Sequence, residues 1–243
     1  MKFELRKSKV IRNLFIVVGI LLLGNLFAVF LRFNTEGMNS KMTRLIIKLF
    51  DFNLEANLPT YFSSLVLLSN GVLLALIGSR HKAIGNKFWH WLGLSIIFVF
   101  LAFDEMIQIH EQLRAPMESL FNTTGLLYFA WFIPYTLVTI IIALAYFKFM
   151  MRLPKHVLKL FVIAGILYVF GAVGMEAIGG MHAEVEGQYT FAYAMMYSFE
   201  ELLEMSGAVV FFYALLVYIT TEFKNLKVRF KPKKNKNSNV VEA

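Results

Sequence analysis

Cysteine is absent from the 243-residue chain, which excludes a disulfide-stapled scaffold. Charge is scarce: Asp, Glu, Lys and Arg make up 16% of the residues, against about 25% in a soluble domain. No phosphate loop, serine elbow or dinucleotide fingerprint occurs. A chain so poor in charge, and 58% hydrophobic with 25 phenylalanines, is neither a soluble enzyme nor a disordered polypeptide.

What the chain has instead is long apolar runs. A helix needs about 20 mostly apolar residues to cross a bilayer, and six segments qualify: 10–33, 59–78, 88–113, 126–151, 157–180 and 192–221. The expected fold is an all-α integral membrane bundle of six helices. The first run follows a basic start but is too long for a signal peptide, and no small-residue cleavage site follows it, so it reads as a permanent anchor. Residues 41–52 alternate Met42, Leu45, Ile46, Leu49 and Phe50 with Lys41, Arg44, Lys48 and Asp51 at helical spacing. This predicts an amphipathic helix on the outer surface, with Asn39 or Ser40 as N-cap. The lysine-rich segment 224–243 is expected to be a disordered basic tail.

Basic residues set the direction. With both termini cytoplasmic, nineteen of the 24 Lys and Arg lie inside and only Arg32, Lys41, Arg44, Lys48 and Arg114 outside, as the positive-inside rule requires. The +8 net charge is then a topology signal that touches anionic lipid, and no nucleic-acid partner is implied. Phe88, Trp89 and Trp91 read as an inner aromatic belt, Tyr128 and Trp131 as an outer one. Asn122-Thr123-Thr124 is a glycosylation sequon, meaningful only in a eukaryotic secretory setting. His81, His90 and His156 fall at the inner boundary and read as headgroup-facing.

The acids divide the other way. Thirteen of sixteen fall outside or in the outer ends of helices, where a carboxylate inside hydrocarbon is costly and functional by default. Asp104, Glu105, His110 and Glu111 end the third run, with Asp104, Gln108 and Glu111 on one helical face. Glu176 and His182 end the fifth, where Gly165, Ala172 and Gly179 recur every seven residues and predict close packing. Glu200, Glu201 and Glu204 begin the sixth. Asp51 and Glu55 read as a solvated helix end. Helix rise allows the three sets to form one layer in the outer third of the membrane.

Too few cations lie nearby to pair these acids, which leaves proton sharing, a bound metal or structural polar packing. Carboxylates with two imidazoles suit a divalent Zn, Fe or Mn ion. Asp104, His110, Glu111, Glu176, His182, Glu200 and Glu204 are the candidate ligands, and Glu201 or Glu105 the spare general acid or base. The expected function is a metal-dependent membrane enzyme acting on a lipid or lipid-linked substrate. The alternatives are a cation- or proton-coupled transporter and a non-catalytic envelope subunit; protein partners are not legible.

Segment 49–60 (LFDFNLEANLPT), the Asp104-Glu105…His110-Glu111 run, Glu176…Gly179-Gly180 and Glu200-Glu201…Glu204-Met205 together resemble a family of uncharacterised bacterial polytopic membrane proteins. The resemblance runs from the surface helix to the sixth run. It implies a six-span helical protein of the bacterial plasma (inner) membrane and carries no activity with it.

Overall fold

The computed structural model describes residues 7–34, 40–113, 116–117, 120–121 and 123–223, the side chain of residue 111 excepted. The tail at 224–243, Asn122 of the sequon and Arg114 lie outside these residues. Among the described residues every regular element is helical. Six helices are long and apolar enough to cross a membrane: α1 (Lys7–Asn34), α3 (Leu58–Ala83), α4 (Trp89–Ile107), α5 (Phe132–Met150), α6 (Lys155–Glu186) and α7 (Phe191–Glu222). The short α2 (Lys41–Phe50) sits between the first two.

Local chemistry sets the helix ends. Ser40 caps α2 by accepting from the Met42 N–H at 3.2 Å. Asn57 caps α3 by accepting from the Thr60 N–H at 3.1 Å, and Pro59 follows in the first turn, where its missing N–H costs nothing. Thr190 caps α7 through the Tyr193 N–H. α4 stops at Ile107, six residues before the expected Leu113. There Gln108 takes a left-handed conformation at φ 59° and ends the helix, so Asp104, Gln108 and Glu111 do not continue along one helical face. α5 begins at Phe132, not Leu126, because residues 125–127 form a 3-10 turn and Phe129 to Trp131 tuck inward.

The chain alternates direction, which collects opposite charges at opposite ends. At the basic end Lys7 Nζ donates to Thr220 Oγ1 at 2.8 Å, His81 Nε2 meets the Tyr218 hydroxyl at 2.8 Å, and His156 approaches Thr221. α7 is the hub, packed against α1, α3 and α6. Buried polar side chains tie the helices together in pairs: Asn25 Nδ2 donates to Ser198 Oγ at 2.7 Å, Asn70 Nδ2 to the Ala208 carbonyl at 3.0 Å, Ser64 Oγ to the Ala102 carbonyl and Ser95 Oγ to the Gly71 carbonyl. Between apolar helices such a bond is the natural partner for a buried polar group.

Two aromatic expectations change. Trp89 is exposed at the basic end, but Trp91 is buried, with its ring 4.5 Å from Tyr218. Trp131 is likewise buried and is no outer belt residue. His81 is half-buried and stacks on Trp91.

The expected glycine stripe is displaced by one residue. Gly165 has nothing within 4 Å of where a side chain would start. The close approach is made by Gly171 and Gly207. A Cβ on Gly171 would meet Glu204 Cγ at 2.8 Å and the Glu200 carbonyl at 2.9 Å; one on Gly207 would meet the Tyr168 amide nitrogen at 2.7 Å. Ala164, Tyr168 and Gly171 follow one another at ordinary helical spacing on the face that meets α7, and a π-helical turn at Phe170–Met175 begins where that face ends.

Gly207→Val should therefore lower the thermal stability of the detergent-solubilised protein by about 2 kcal/mol, the scale of overpacking against backbone, whereas Gly165→Ala should leave it unchanged. Equal effects in a melting comparison would contradict this packing.

Candidate functional site: an acidic cavity under a pinned loop

Residues 51–57 join α2 to α3 and form a roof at the acidic end. Asp51 is fully buried and pairs with Arg32 of α1 at 2.7 Å, correcting its reading as a solvated helix end. Its Oδ1 accepts from the Asn53 N–H at 3.0 Å. The Phe52 N–H donates to Asn25 Oδ1 at 2.8 Å, and Asn57 Nδ2 donates to the carbonyls of Asp51 and Leu54. Asn25, itself wholly buried, thus bridges the roof to Ser198 of α7. Every one of these side chains serves a backbone that turns back without forming a regular helix.

Under the roof lies a cavity of about 410 Å³. Asp104 and Glu105 reach it from α4, Glu176 from α6, Glu200, Glu201 and Glu204 from α7, and Glu55 from the roof. Among the described residues these seven carboxyl groups share the lining with one histidine, His110, and with no lysine or arginine. Aromatic rings, Trp131, Tyr135, Tyr168, Tyr193 and Tyr197 among them, line much of the remaining wall, with smaller polar and aliphatic side chains between them.

The helix break at Gln108 has a use. It turns the chain so that the His110 N–H donates to Asp104 Oδ1 at 3.0 Å, and brings His110 Nδ1 within 3.4 Å of Asp104 Oδ2. Tyr135 adds a hydroxyl donor to Asp104 at 3.1 Å. His110 Nε2 then faces Glu55 at 3.7 Å, and its ring lies 4.9 Å from Trp131. A carboxylate on one imidazole nitrogen fixes the ring and leaves the other nitrogen toward the cavity. Across the cavity, Trp131 Nε1 donates to Glu176 at 2.8 Å, and the carboxyls of Glu176 and Glu200 are in hydrogen-bonding contact.

Of the residues singled out from sequence, Asp104, Glu105, His110, Glu176, Glu200, Glu201 and Glu204 all face this one cavity. His182 does not: its Nε2 meets Thr190 Oγ1 at 2.7 Å and lies 3.8 Å from Glu186, at the turn between α6 and α7. The Glu111 side chain lies outside the described residues. Among the described residues, no three Asp, Glu or His side chains stand together as a ready ligand set for a metal ion. The carboxyls ring the cavity without converging on one point.

Sequence reasoning missed Tyr135 and Tyr168. Glu55, at the end of the surface helix, is in place by sequence to cover the acids from above, but that position reads first as a solvated helix end, and the structure puts it on the cavity. Tyr168, Ala172 and Glu176 do recur every four residues, but on a regular α-helix that spacing drifts by about 40° per step. The π-helical turn takes up the drift and puts all three on the cavity.

Toward the basic end the cavity is closed. Phe211 stacks on Phe98 at 4.4 Å and meets Phe161 at a tilt at 4.6 Å, backed by Leu74, Ile77 and Leu215, all fully buried.

Because Asp51 is buried with one cationic partner, Arg32→Gln should cost about 3 kcal/mol by stranding a charge. Asp51→Asn added to it should recover most of that loss. A melting series in which Arg32→Gln is silent would contradict the pinned roof.

No curated protein and no solved structure matches the chain. A family described as a domain of unknown function (DUF8692) matches residues 14–219, a range that takes in the roof, most of α1 and α7, the four long helices between them and every residue of the cavity. The chain belongs to the DUF8692 family.

Proposed function

We propose that the six apolar helices cross a membrane with the basic end cytoplasmic, and that the acidic cavity is a cation site reached from the opposite face. The observation that carries this reading is the lining itself: seven carboxyl groups around about 410 Å³ with no lysine or arginine among them. Arg32, the nearest described arginine, is already committed to Asp51. So concentrated a set of acids needs cations, and protons or a divalent ion are the candidates.

The ion we infer is divalent Zn, Fe or Mn, taken by His110 Nε2 and the glutamates, whose two flexible carbons let the carboxyls draw inward around it. The Asp104–His110 pair supports this, since a carboxylate behind an imidazole is the usual support of a histidine ligand. With the ion held, Glu201 or Glu105 remains as general acid or base. The closed aromatic half favours chemistry at one face over conduction, so the reading is a metal-dependent membrane enzyme acting on a lipid or lipid-linked group. The Glu176–Glu200 contact favours a second reading, a proton- or cation-coupled transporter.

Metal analysis of the purified protein by plasma mass spectrometry tests the choice. Near-stoichiometric metal, lost in Glu204→Gln while the fold persists, is the expected result. Protein that stays metal-free even after incubation with Zn, Mn and Fe(II) would remove the enzyme reading and leave proton sharing.

A further inference from the structure

α2 carries three faces, and the bundle covers only one. Ile47 is buried, and Phe50 seats against Gly24 of α1, in the space a side chain there would occupy. Beside this face, Met42 and Leu45 are 63% and 48% exposed. Opposite it, Lys41, Arg44 and Lys48 are exposed along one arc, and among the described residues none of the three has an ion pair. α2 itself contains no acid.

This arc is out of character with its surroundings. The acidic end of the bundle carries the seven-carboxyl cavity and would repel anions, yet the helix leading into its roof presents three uncompensated cations beside uncovered apolar side chains. An exposed apolar flank next to a cationic flank is the pattern of a helix seated at a bilayer surface, with its hydrocarbon in the acyl region and its charges among headgroups.

We propose that α2 is a docking surface for anionic phospholipid headgroups in the leaflet at the acidic end. Lys41, Arg44 and Lys48 contact lipid phosphates, and Met42 and Leu45 enter the adjoining acyl layer. The occupant is lipid because the cationic arc is continuous with apolar side chains that a free phosphate would leave in water. The helix runs directly into Asp51, so lipid held here steadies the roof over the cavity. This inference is independent of what the cavity binds.

The absence of cysteine makes a local test simple. Met42→Cys supplies a sole thiol for a fluorophore, in protein reconstituted into nanodiscs with phosphatidylglycerol or phosphatidylcholine spin-labelled near the top of the acyl chain. Phosphatidylglycerol should quench at least threefold more strongly than phosphatidylcholine at equal mole fraction. The preference should vanish in K41Q/R44Q/K48Q, and in wild-type residues at 1 M salt, where screening acts over about 3 Å. Melting of the triple variant in neutral nanodiscs checks its fold, and the salt comparison stands if it does not fold. Equal quenching by both lipids, or a preference that survives the substitutions or the salt, would overturn the proposal.

Discussion

The buried ion pair between Arg32 and Asp51 is the contact on which the acidic end depends. A carboxylate with no exposure is tolerated only when its charge is met at short range, and here the guanidinium meets it at 2.7 Å. Around that pair Asn25 and Asn57 satisfy the backbone of a loop that would otherwise expose bare amides to an apolar interior. The result is a roof that α1 and α7 hold from two sides. Without it the cavity below would lack Glu55 and its upper wall.

The same need for compensation governs the cavity, with a different solution. Asp104 is satisfied within the fold by a tyrosine hydroxyl, a backbone N–H and an imidazole. Glu176 has the Trp131 indole. Glu201 and Glu204 face the space itself, brought there by close packing of α6 on α7 at Gly171 and Gly207. Glycine is required at both points because backbone stands where a side chain would begin. A wall built this way concentrates negative charge and leaves its neutralisation to what enters.

The helices were legible because apolar length is a strong signal, and charge asymmetry between their ends separated basic from acidic. The layer of acids was legible as well, since helix rise alone puts Asp104, Glu176 and Glu200 at comparable depth. What escaped was irregular backbone. Gln108 adopts a left-handed conformation that glycine or asparagine would have advertised, so His110 was placed on a helix it does not share. The π-turn in α6 leaves no mark in composition, yet it brings Tyr168, Ala172 and Glu176 together onto the cavity. Asp51 resembled any acid at a helix end; only the three-dimensional return of Arg32 buries it. His182 has the chemistry of a ligand, but its partner is Thr190.

The role of the cavity turns on where a cation sits. Diffraction from crystals soaked with Mn or Zn, collected at the metal's absorption edge, addresses this directly. The account predicts one anomalous peak inside the cavity, within coordination distance of His110 and at least two of Glu176, Glu200 and Glu204. A cavity without a peak at saturating metal, or a peak only at the basic end or on the bundle surface, would contradict it.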